Sequence, residues 1–317
     1  MRALVTAEIT DDGVRRLEAL GYDVERAGWG TTRQALDPAA YRAAAAGAAL
    51  LLTEIEVVDT AVLDACPDLQ LVGTARGGPV NVDLAACAAR GVPVLFTPAR
   101  NADSVADFTV GLVLSLVRGI SAAERHLRGE GWHVDGELPY LHFRGPELAG
   151  RVLGVVGYGA TGRRTAQRLR DGFGMRVLLH DPYVEGSVPL DELLQASDVV
   201  TLHCPRSPQT RGMVDPWRVR AGGYLVNTAG GGVVDEEQLV AALDAGHLAG
   251  AALDVFGTEP LLRDSPLLRA PRLLLTPHLA GAADDVVVHH TKMLVGDVER
   301  WHRREPLVHQ ASASATS

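Results

Sequence analysis

Residues 151–181 read RVLGVVGYGATGRRTAQRLRDGFGMRVLLHD, with Gly157, Gly159 and Gly162 in the spacing G-x-G-x-x-G. An apolar run precedes the glycines, a polar helical segment and a second apolar run follow them, and Asp181 closes the stretch. This order predicts a strand, a helix and a second parallel strand. In such a unit the first glycine permits a tight turn, the second lets backbone approach a pyrophosphate, and the third lets the helix pack on the strand. The context favours a dinucleotide-binding site over an ordinary glycine-rich turn.

The sequence after this unit continues to alternate apolar runs with helical segments. The predicted strands of this half are 152–156, 176–180, 198–202, 224–227, 250–255 and 273–276. Six strands with helices between them are the count of a complete dinucleotide-binding fold, in which ligands lie beyond the carboxyl ends of the strands. We therefore expect the residues that follow each strand to form the site.

The N-terminal half shows the same alternation without a glycine fingerprint. Its β-rich runs are RALVTA, DVER, AALLLT, LQLVGT and PVLF. Strands alternating with helical stretches predict a second parallel sheet with helices on its faces. Because this half lacks the fingerprint, it is predicted to be the substrate domain.

Composition excludes several classes of protein. The chain has 317 residues and a net charge of −9, and no block of Lys and Arg suggests a nucleic-acid partner. Cys66, Cys87 and Cys204 lie far apart without C-x-x-C spacing, so neither a disulfide framework nor a metal site is predicted. The N-terminus shows no signal-peptide pattern, and the most apolar segment, 105–120, is too short to span a bilayer. We expect a cytoplasmic protein that does not enter a membrane.

Two segments between the halves have distinct predictions. Cap-type residues followed by apolar residues at helical spacing predict one long helix over 101–127 that links the halves. The following stretch, 129–148, contains Gly, Pro, Trp and Tyr with little periodicity. It is predicted to be a surface excursion or a subunit interface, and the sequence leaves this choice open.

Three side chains at predicted strand ends carry the chemistry. Asp181 is placed to accept hydrogen bonds from ribose hydroxyls and to repel a 2′-phosphate, which favours NAD over NADP, although a surface acid before Pro182 is the alternative. His278, in LLLTPHLAG, is a candidate acid/base near neutral pH. Glu259, in DVFGTEP, is its candidate partner, because a carboxylate bonded to one ring nitrogen fixes the tautomer. A purely structural histidine is the alternative.

Together these motifs resemble the D-2-hydroxyacid dehydrogenase family, which includes phosphoglycerate and glycerate enzymes. The resemblance extends over nearly the whole chain, through VGTARGGPVNVDL, RGVPVLFTPARNADSVADFTVGL, LHCPRSPQTRGMV, YLVNTAGGGVVDEEQL, GAALDVFGTEP and LLLTPHLAG. It implies an α/β fold with two Rossmann-like, doubly wound parallel-sheet domains, a cleft between them, and a homodimer. It also implies that the acid/base histidine is His278 and that its supporting glutamate is Glu259.

The resemblance implies domain limits and a set of NAD contacts. The substrate domain is predicted at 1–100 plus 285–308 and the NAD domain at 101–284. Independently of the resemblance, the low-complexity composition of 309–317 predicts a disordered tail. The predicted cofactor-binding residues are Gly157, Tyr158, Gly159, Ala160, Thr161, Gly162, Asp181, His203, Cys204, Pro205, Thr210, Thr228, Ala229, Gly230, Asp254, His278 and Gly281.

One position departs from the family pattern. The family carries an arginine in the motif N-T-A-R-G that holds the substrate carboxylate, and this chain has Gly230 there. Another arginine can serve: Arg76 lies in the loop that matches the family's substrate-binding loop, whose Gly77 and Gly78 offer backbone N–H groups, and Arg100 is a weaker candidate. Otherwise the substrate bears a phosphonate or phosphate or is an aldehyde or alcohol, or the protein binds NAD without turnover.

Two inter-strand segments, 181–198 and 214–223, are shorter than in the family. We expect this shortening to trim surface helices and to leave the cleft intact.

Overall fold

The computed structural model describes residues 1–312, which form two compact units. Unit 1 consists of Met1–Asn101 together with the C-terminal segment that starts at Ala283. Unit 2 is Ala102–Ala282. The predicted boundaries, after residues 100 and 284, differ from the observed ones by one and two residues.

Unit 1 is built on a five-stranded parallel sheet in the order β2-β1-β3-β4-β5. Its strands are β1 (Arg2–Val5), β2 (Asp23–Arg26), β3 (Leu50–Thr53), β4 (Leu71–Thr74) and β5 (Val94–Leu95). Each corresponds to one of the five β-rich runs. The central strands β3 and β4 are buried along their whole length, as expected for a sheet covered on both faces.

Helices cover both faces of this sheet. They are α1 (Asp11–Ala19), α2 (Trp29–Thr32), α3 (Pro38–Ala45), α4 (Thr60–Asp64), α5 (Leu84–Ala89) and the C-terminal α11 (Asp284–His302). Asp37, Asp59 and Asp83 each cap a helix N-terminus through a side-chain oxygen. From α11, Leu294 and Val295 join the buried cluster that contains side chains of β1 and α1. The C-terminal segment is therefore part of the core of unit 1.

Unit 2 contains a six-stranded parallel sheet in the order β11-β10-β9-β8-β6-β7. Its strands are β6 (Val152–Val156), β7 (Arg176–His180), β8 (Val199–Leu202), β9 (Tyr224–Asn227), β10 (Gly250–Leu253) and β11 (Leu273–Leu275). Its α-helices are α6 (Ala102–Val117), α7 (Ile120–Gly129), α8 (Ala160–Phe173), α9 (Leu190–Ala196) and α10 (Glu236–Asp244). All six strands were predicted. The two sheets confirm the predicted α/β, Rossmann-like fold class.

The chain reverses its direction of travel across the sheet at β6. β7 lies on one side of β6 and β8 on the other, so a crevice opens at their carboxyl ends. The classic dinucleotide-binding order places a further strand outside the second one, whereas here β7 is at the edge. Residues 181–189 connect β7 to α9 without forming a strand, although Val188 donates its N–H to the carbonyl of Leu179 in β7 at 2.9 Å. The short 181–198 segment therefore lacks the outer strand, whereas the prediction was that only surface helices are trimmed.

The prediction of a single helix over 101–127 is wrong in one respect. The structure has two helices there, α6 and α7, whose axes differ by 62°. Gly119 lies between them with φ of 64°, a left-handed conformation that glycine adopts without steric cost and that ends α6. Within residues 1–312 no single helix is long and apolar enough to cross a membrane, and only this bent pair reaches that length and apolar character together.

The predicted disordered tail, 309–317, begins with ordered residues. His309 donates its backbone N–H to Asp297 at 2.9 Å, Gln310 forms a bridge with Leu95, and Ala311 donates to the carbonyl of Val94 at 2.8 Å. Pairing with the edge strand β5 therefore holds the start of this segment. Residues 313–317 lie outside the described residues.

Candidate active site

The glycines after β6 form a cradle that a larger residue would fill. Gly157 has φ of 87°, and a Cβ there would lie 2.5 Å from the backbone nitrogen of Cys204. A Cβ on Gly162 would lie 2.1 Å from the carbonyl oxygen of Gly157. Gly159 precedes α8 and provides no side-chain cap, so N–H groups of the first turn are available to an anion. The cradle fits the pyrophosphate of a dinucleotide.

Asp181 follows β7 and accepts two backbone hydrogen bonds. The N–H of Tyr158 donates to Oδ2 at 2.7 Å, and the N–H of Tyr183 donates to Oδ1 at 3.0 Å. Each carboxylate oxygen keeps a further lone pair for a ribose hydroxyl. The carboxylate is therefore fixed next to the glycine cradle, where its charge opposes a 2′-phosphate. These residues fit NAD.

His203 and Cys204, the first two residues after β8, are uncharged side chains. Burial lowers the pKa of His203 to about 3, so its imidazole is uncharged, and its Nε2 lies 3.0 Å from the hydroxyl of Thr201. Its buried Nδ1 has no hydrogen-bond partner among the described residues. Burial likewise raises the pKa of the Cys204 thiol to about 11, which keeps it protonated. Thr210 donates to the carbonyl of Pro205 at 2.7 Å and so holds the loop closed.

Asn227, at the end of β9, fixes the loop that contains the departure from the family pattern. Its Nδ2 donates to the carbonyl of Gly230 at 3.0 Å, and its Oδ1 accepts from the N–H of Ala229 at 3.0 Å. The hydroxyl of Thr228 lies 2.9 Å from that of Thr109 on α6. The loop is therefore held from both sides. This role of Asn227 was not predicted.

His278 and Glu259 form the predicted pair. Nδ1 of His278 donates to Oε2 of Glu259 at 2.7 Å, and Oε1 accepts the N–H of Phe256 at 2.9 Å. Partial burial acts to raise the pKa of Glu259, but the hydrogen bonds from His278 and Phe256, with the charges of His278 and Arg206, hold it below its usual range. The carboxylate is thus ionised near neutral pH. The ring nitrogen Nε2 remains available for proton exchange.

The loop that carries His278 depends on a buried carboxylate. Asp254 is fully buried and accepts the hydroxyl of Thr276 at 2.6 Å and the N–H groups of Leu279 and Ala280 at 2.8 Å each. His278 itself has φ of 54°, a left-handed conformation that is costly for a residue with a Cβ. Asp254 was predicted to contact the cofactor, and the structure gives it this positioning role. Gly281 follows in the same loop.

A cavity of about 560 Å³ within unit 2 brings the strand-end residues together. Ten residues line it, among them Arg206, Gly230, Phe256, Glu259 and His278. Arg206 was not among the predicted site residues. Because β8 and β9 are neighbours, residues that follow these strands meet at one edge, and this rule would have identified it.

The predicted substrate-binding residues lie in unit 1. Nη1 of Arg76 donates to the carbonyl of Glu54 at 3.3 Å. Nη1 of Arg100 lies 3.0 Å from the Glu54 carboxylate and 2.7 Å from Nδ1 of His290. Gly77 and Gly78 have open space where a Cβ would stand. The charge of Arg100 is therefore already neutralised, whereas Arg76 has no ion-pair partner within residues 1–312. Across that range, no group of three or more His, Cys, Asp and Glu side chains is placed to hold a metal ion.

Comparison with known proteins gives the family. A family model described as D-isomer specific 2-hydroxyacid dehydrogenase, NAD binding domain, matches residues 110–280, more than half of the chain. The chain belongs to the D-isomer-specific 2-hydroxyacid dehydrogenase family. It is 36% identical to the YoaD protein of Bacillus subtilis over 97% of this chain and 92% of that protein. It is 40% identical to a glyoxylate reductase of Thermofilum pendens over 74% of this chain and 72% of that protein.

A solved structure shows the same fold over the whole length of its chain. The TT0316 protein from Thermus thermophilus superposes with a TM-score of 0.83 at 32% identity, over 98% of this chain and 100% of that one. The dehydrogenase is thus an NAD-dependent oxidoreductase acting on CH–OH groups, as predicted. When bound, NAD accepts or supplies the hydride in such enzymes.

Proposed function

We propose that this dehydrogenase interconverts a small anionic 2-hydroxyacid and the corresponding 2-oxoacid. The observation that carries the proposal is the His278–Glu259 pair, with 2.7 Å between Nδ1 and Oε2, in a cavity that borders the strand ends of an NAD-binding unit. A protein that only bound NAD would need no oriented acid/base pair. The substrate alternatives are a phosphonate- or phosphate-bearing compound or an aldehyde.

Three groups of residues have separate roles in the proposed reaction. His278 takes the hydroxyl proton during oxidation and returns it during reduction, through Nε2, because Nδ1 is bonded to Glu259. Glu259 fixes the tautomer and stabilises the imidazolium that forms. Gly77 and Gly78 are proposed to offer backbone N–H groups to the substrate anion.

Steady-state NADH oxidation tests the proposal. Pyruvate, glyoxylate, hydroxypyruvate and phosphonate-bearing aldehydes are offered in turn, each with NADH and with NADPH. We expect turnover of at least one 2-oxoacid, with kcat/KM about tenfold or more higher for NADH because the Asp181 charge repels the 2′-phosphate. Tight NADH binding without turnover of any compound would contradict the proposal and favour a non-catalytic NAD-binding protein, the interpretation that Gly230 on its own supports.

A homodimer is proposed from the surface of residues 130–148. Trp132, Tyr140 and Leu141 in this segment are 64%, 82% and 71% exposed. Clustered exposed apolar side chains mark association surfaces, and a second copy of the chain is the occupant that the family resemblance implies. Sedimentation velocity is expected to show a dimer that a Trp132→Ser/Tyr140→Ser/Leu141→Ser variant no longer forms. A monomeric parent protein would refute this assembly.

A further inference from the structure

The cavity that contains His278 has one permanent cation in its lining, Arg206, and this residue follows a different strand from the position of the family's arginine. Arg206 follows β8, and Gly230 follows the neighbouring strand β9. We propose that Arg206 binds the substrate carboxylate in place of the arginine that the family carries at position 230. This inference rests on the proposed function and names the residue that binds the substrate's anionic group.

The geometry brings the two positions to one place. The last residues of the strands, Leu202 and Asn227, are paired in the sheet. A Cβ built on Gly230 would lie 3.0 Å from the Cβ of Arg206 and 3.4 Å from its backbone nitrogen. The Cβ of Arg206 therefore lies close to the position that the Cβ of an arginine at 230 would have, so the two side chains extend from nearly the same point.

The charges in the cavity favour a cation beside the substrate carboxylate. Glu259 is ionised, so a substrate carboxylate entering the same cavity meets a negative charge. The Arg206 guanidinium has neither a hydrogen bond nor an ion pair with any of residues 1–312, and its charge is among the causes that lower the pKa of Glu259. It is thus free to form the bidentate contact that a carboxylate accepts.

Close approach also explains why position 230 is glycine. With Arg206 present, any side chain at 230 begins in tight contact with the Arg206 Cβ, and a second guanidinium would add like-charge repulsion. The arginine at position 206 and the glycine at position 230 therefore depend on each other: the guanidinium is supplied after β8, and position 230 after β9 has no side chain. Arg100 is not an equivalent substitute, because Glu54 already neutralises it at 3.0 Å.

The test compares four variants of the full chain with the parent. Arg206→Leu removes the cation, Arg206→Lys keeps the charge without the planar fork, and Arg206→Gly/Gly230→Arg moves the guanidinium to the neighbouring strand end. Arg211→Leu is the matched control, because Arg211 is an exposed arginine of the same loop that does not line the cavity. Each protein is assayed for 2-oxoacid reduction, NADH affinity, and binding of oxamate to its NADH complex.

We expect Arg206→Leu to lower kcat/KM for 2-oxoacids by about 100-fold or more and to abolish oxamate binding, with NADH affinity unchanged. Arg206→Lys should retain an intermediate activity, Arg211→Leu should behave as the parent, and the double variant should regain oxamate binding. Oxamate binding by Arg206→Leu at parental affinity would overturn the inference. So would weakened NADH binding in that variant, which would place Arg206 on the cofactor, or a parent that does not bind oxamate.

Failure of the proposed function is distinguishable from failure of this inference. A parent whose NADH complex binds oxamate through Arg206 but reduces no 2-oxoacid would refute the function and leave the carboxylate site standing. Oxamate binding needs no proton transfer, so it reports the anion site alone.

Discussion

Replacing His278 with glutamine is expected to lower kcat for 2-oxoacid reduction by about 10²- to 10⁴-fold, the usual contribution of a positioned acid/base group. Glutamine has a similar length and can still donate a hydrogen bond to Glu259, but it cannot exchange a proton near neutral pH. NADH affinity should stay within about twofold, because the glycine cradle and Asp181 are untouched. Stopped-flow NADH oxidation with saturating 2-oxoacid measures the step directly.

Glu259→Gln is the companion variant. The pKa of Glu259 is held below its usual range, so the parent carboxylate is ionised at every pH above this lowered pKa. Its stabilisation of the His278 imidazolium is lost only as the pH falls through the lowered pKa. The glutamine variant lacks this charge at every pH, and we expect a smaller loss of kcat together with a pH–rate profile shifted toward lower pH. A His278→Gln enzyme with parental kcat would rule out His278 as the acid/base.

Replacing Asp254 with alanine is expected to cost about 3 kcal/mol or more of unfolding free energy. The change removes a fully buried carboxylate and leaves one hydroxyl and two N–H groups without their acceptor. Because those donors hold the loop around His278, kcat should fall together with stability. Urea denaturation followed by fluorescence gives the free energy, and turnover at low temperature gives kcat for the folded fraction.

Asp244→Asn serves as the control for Asp254→Ala. Asp244 is exposed at the end of α10 and has no side-chain hydrogen bond or ion pair with the rest of residues 1–312. Its replacement should change the unfolding free energy by no more than about 0.5 kcal/mol. Equal stability of the two variants would show that the buried carboxylate contributes nothing beyond an exposed one.

Much of the fold could be predicted from local sequence. Apolar runs of four or five residues bounded by turns give the strands, and the glycine spacing fixes the register of the first βαβ unit. The predicted helix over 101–127 failed at Gly119, because apolar spacing continues on both sides and a left-handed residue leaves no periodic signal. The ordered start of the 309–317 segment was missed because its partner, β5, lies more than 200 residues earlier.

The candidate site shows the same limit. Asp181 directly follows β7, and His278 and Glu259 lie within a few residues after β11 and β10, so position in the sequence indicates them. Arg206 and Asn227 are important only because neighbouring strands end side by side, which depends on strand order in the sheet. A buried acceptor such as Asp254 looks in the sequence like any acid after a strand. Its three donors come from the loop after a different strand, β11.

Unit 1 is made of two segments that flank unit 2 in the sequence, and this division sets an order of events during synthesis. Residues 1–101 leave the ribosome first, yet the core of their sheet includes Leu294, Val295 and Val298 of α11. Unit 2 is one uninterrupted stretch and can fold as soon as it emerges, whereas the earlier sheet keeps an apolar face exposed until α11 has also emerged. A ribosome that stops before α11 would release a finished cofactor-binding unit attached to an unfinished sheet, which is a substrate for chaperones and proteases.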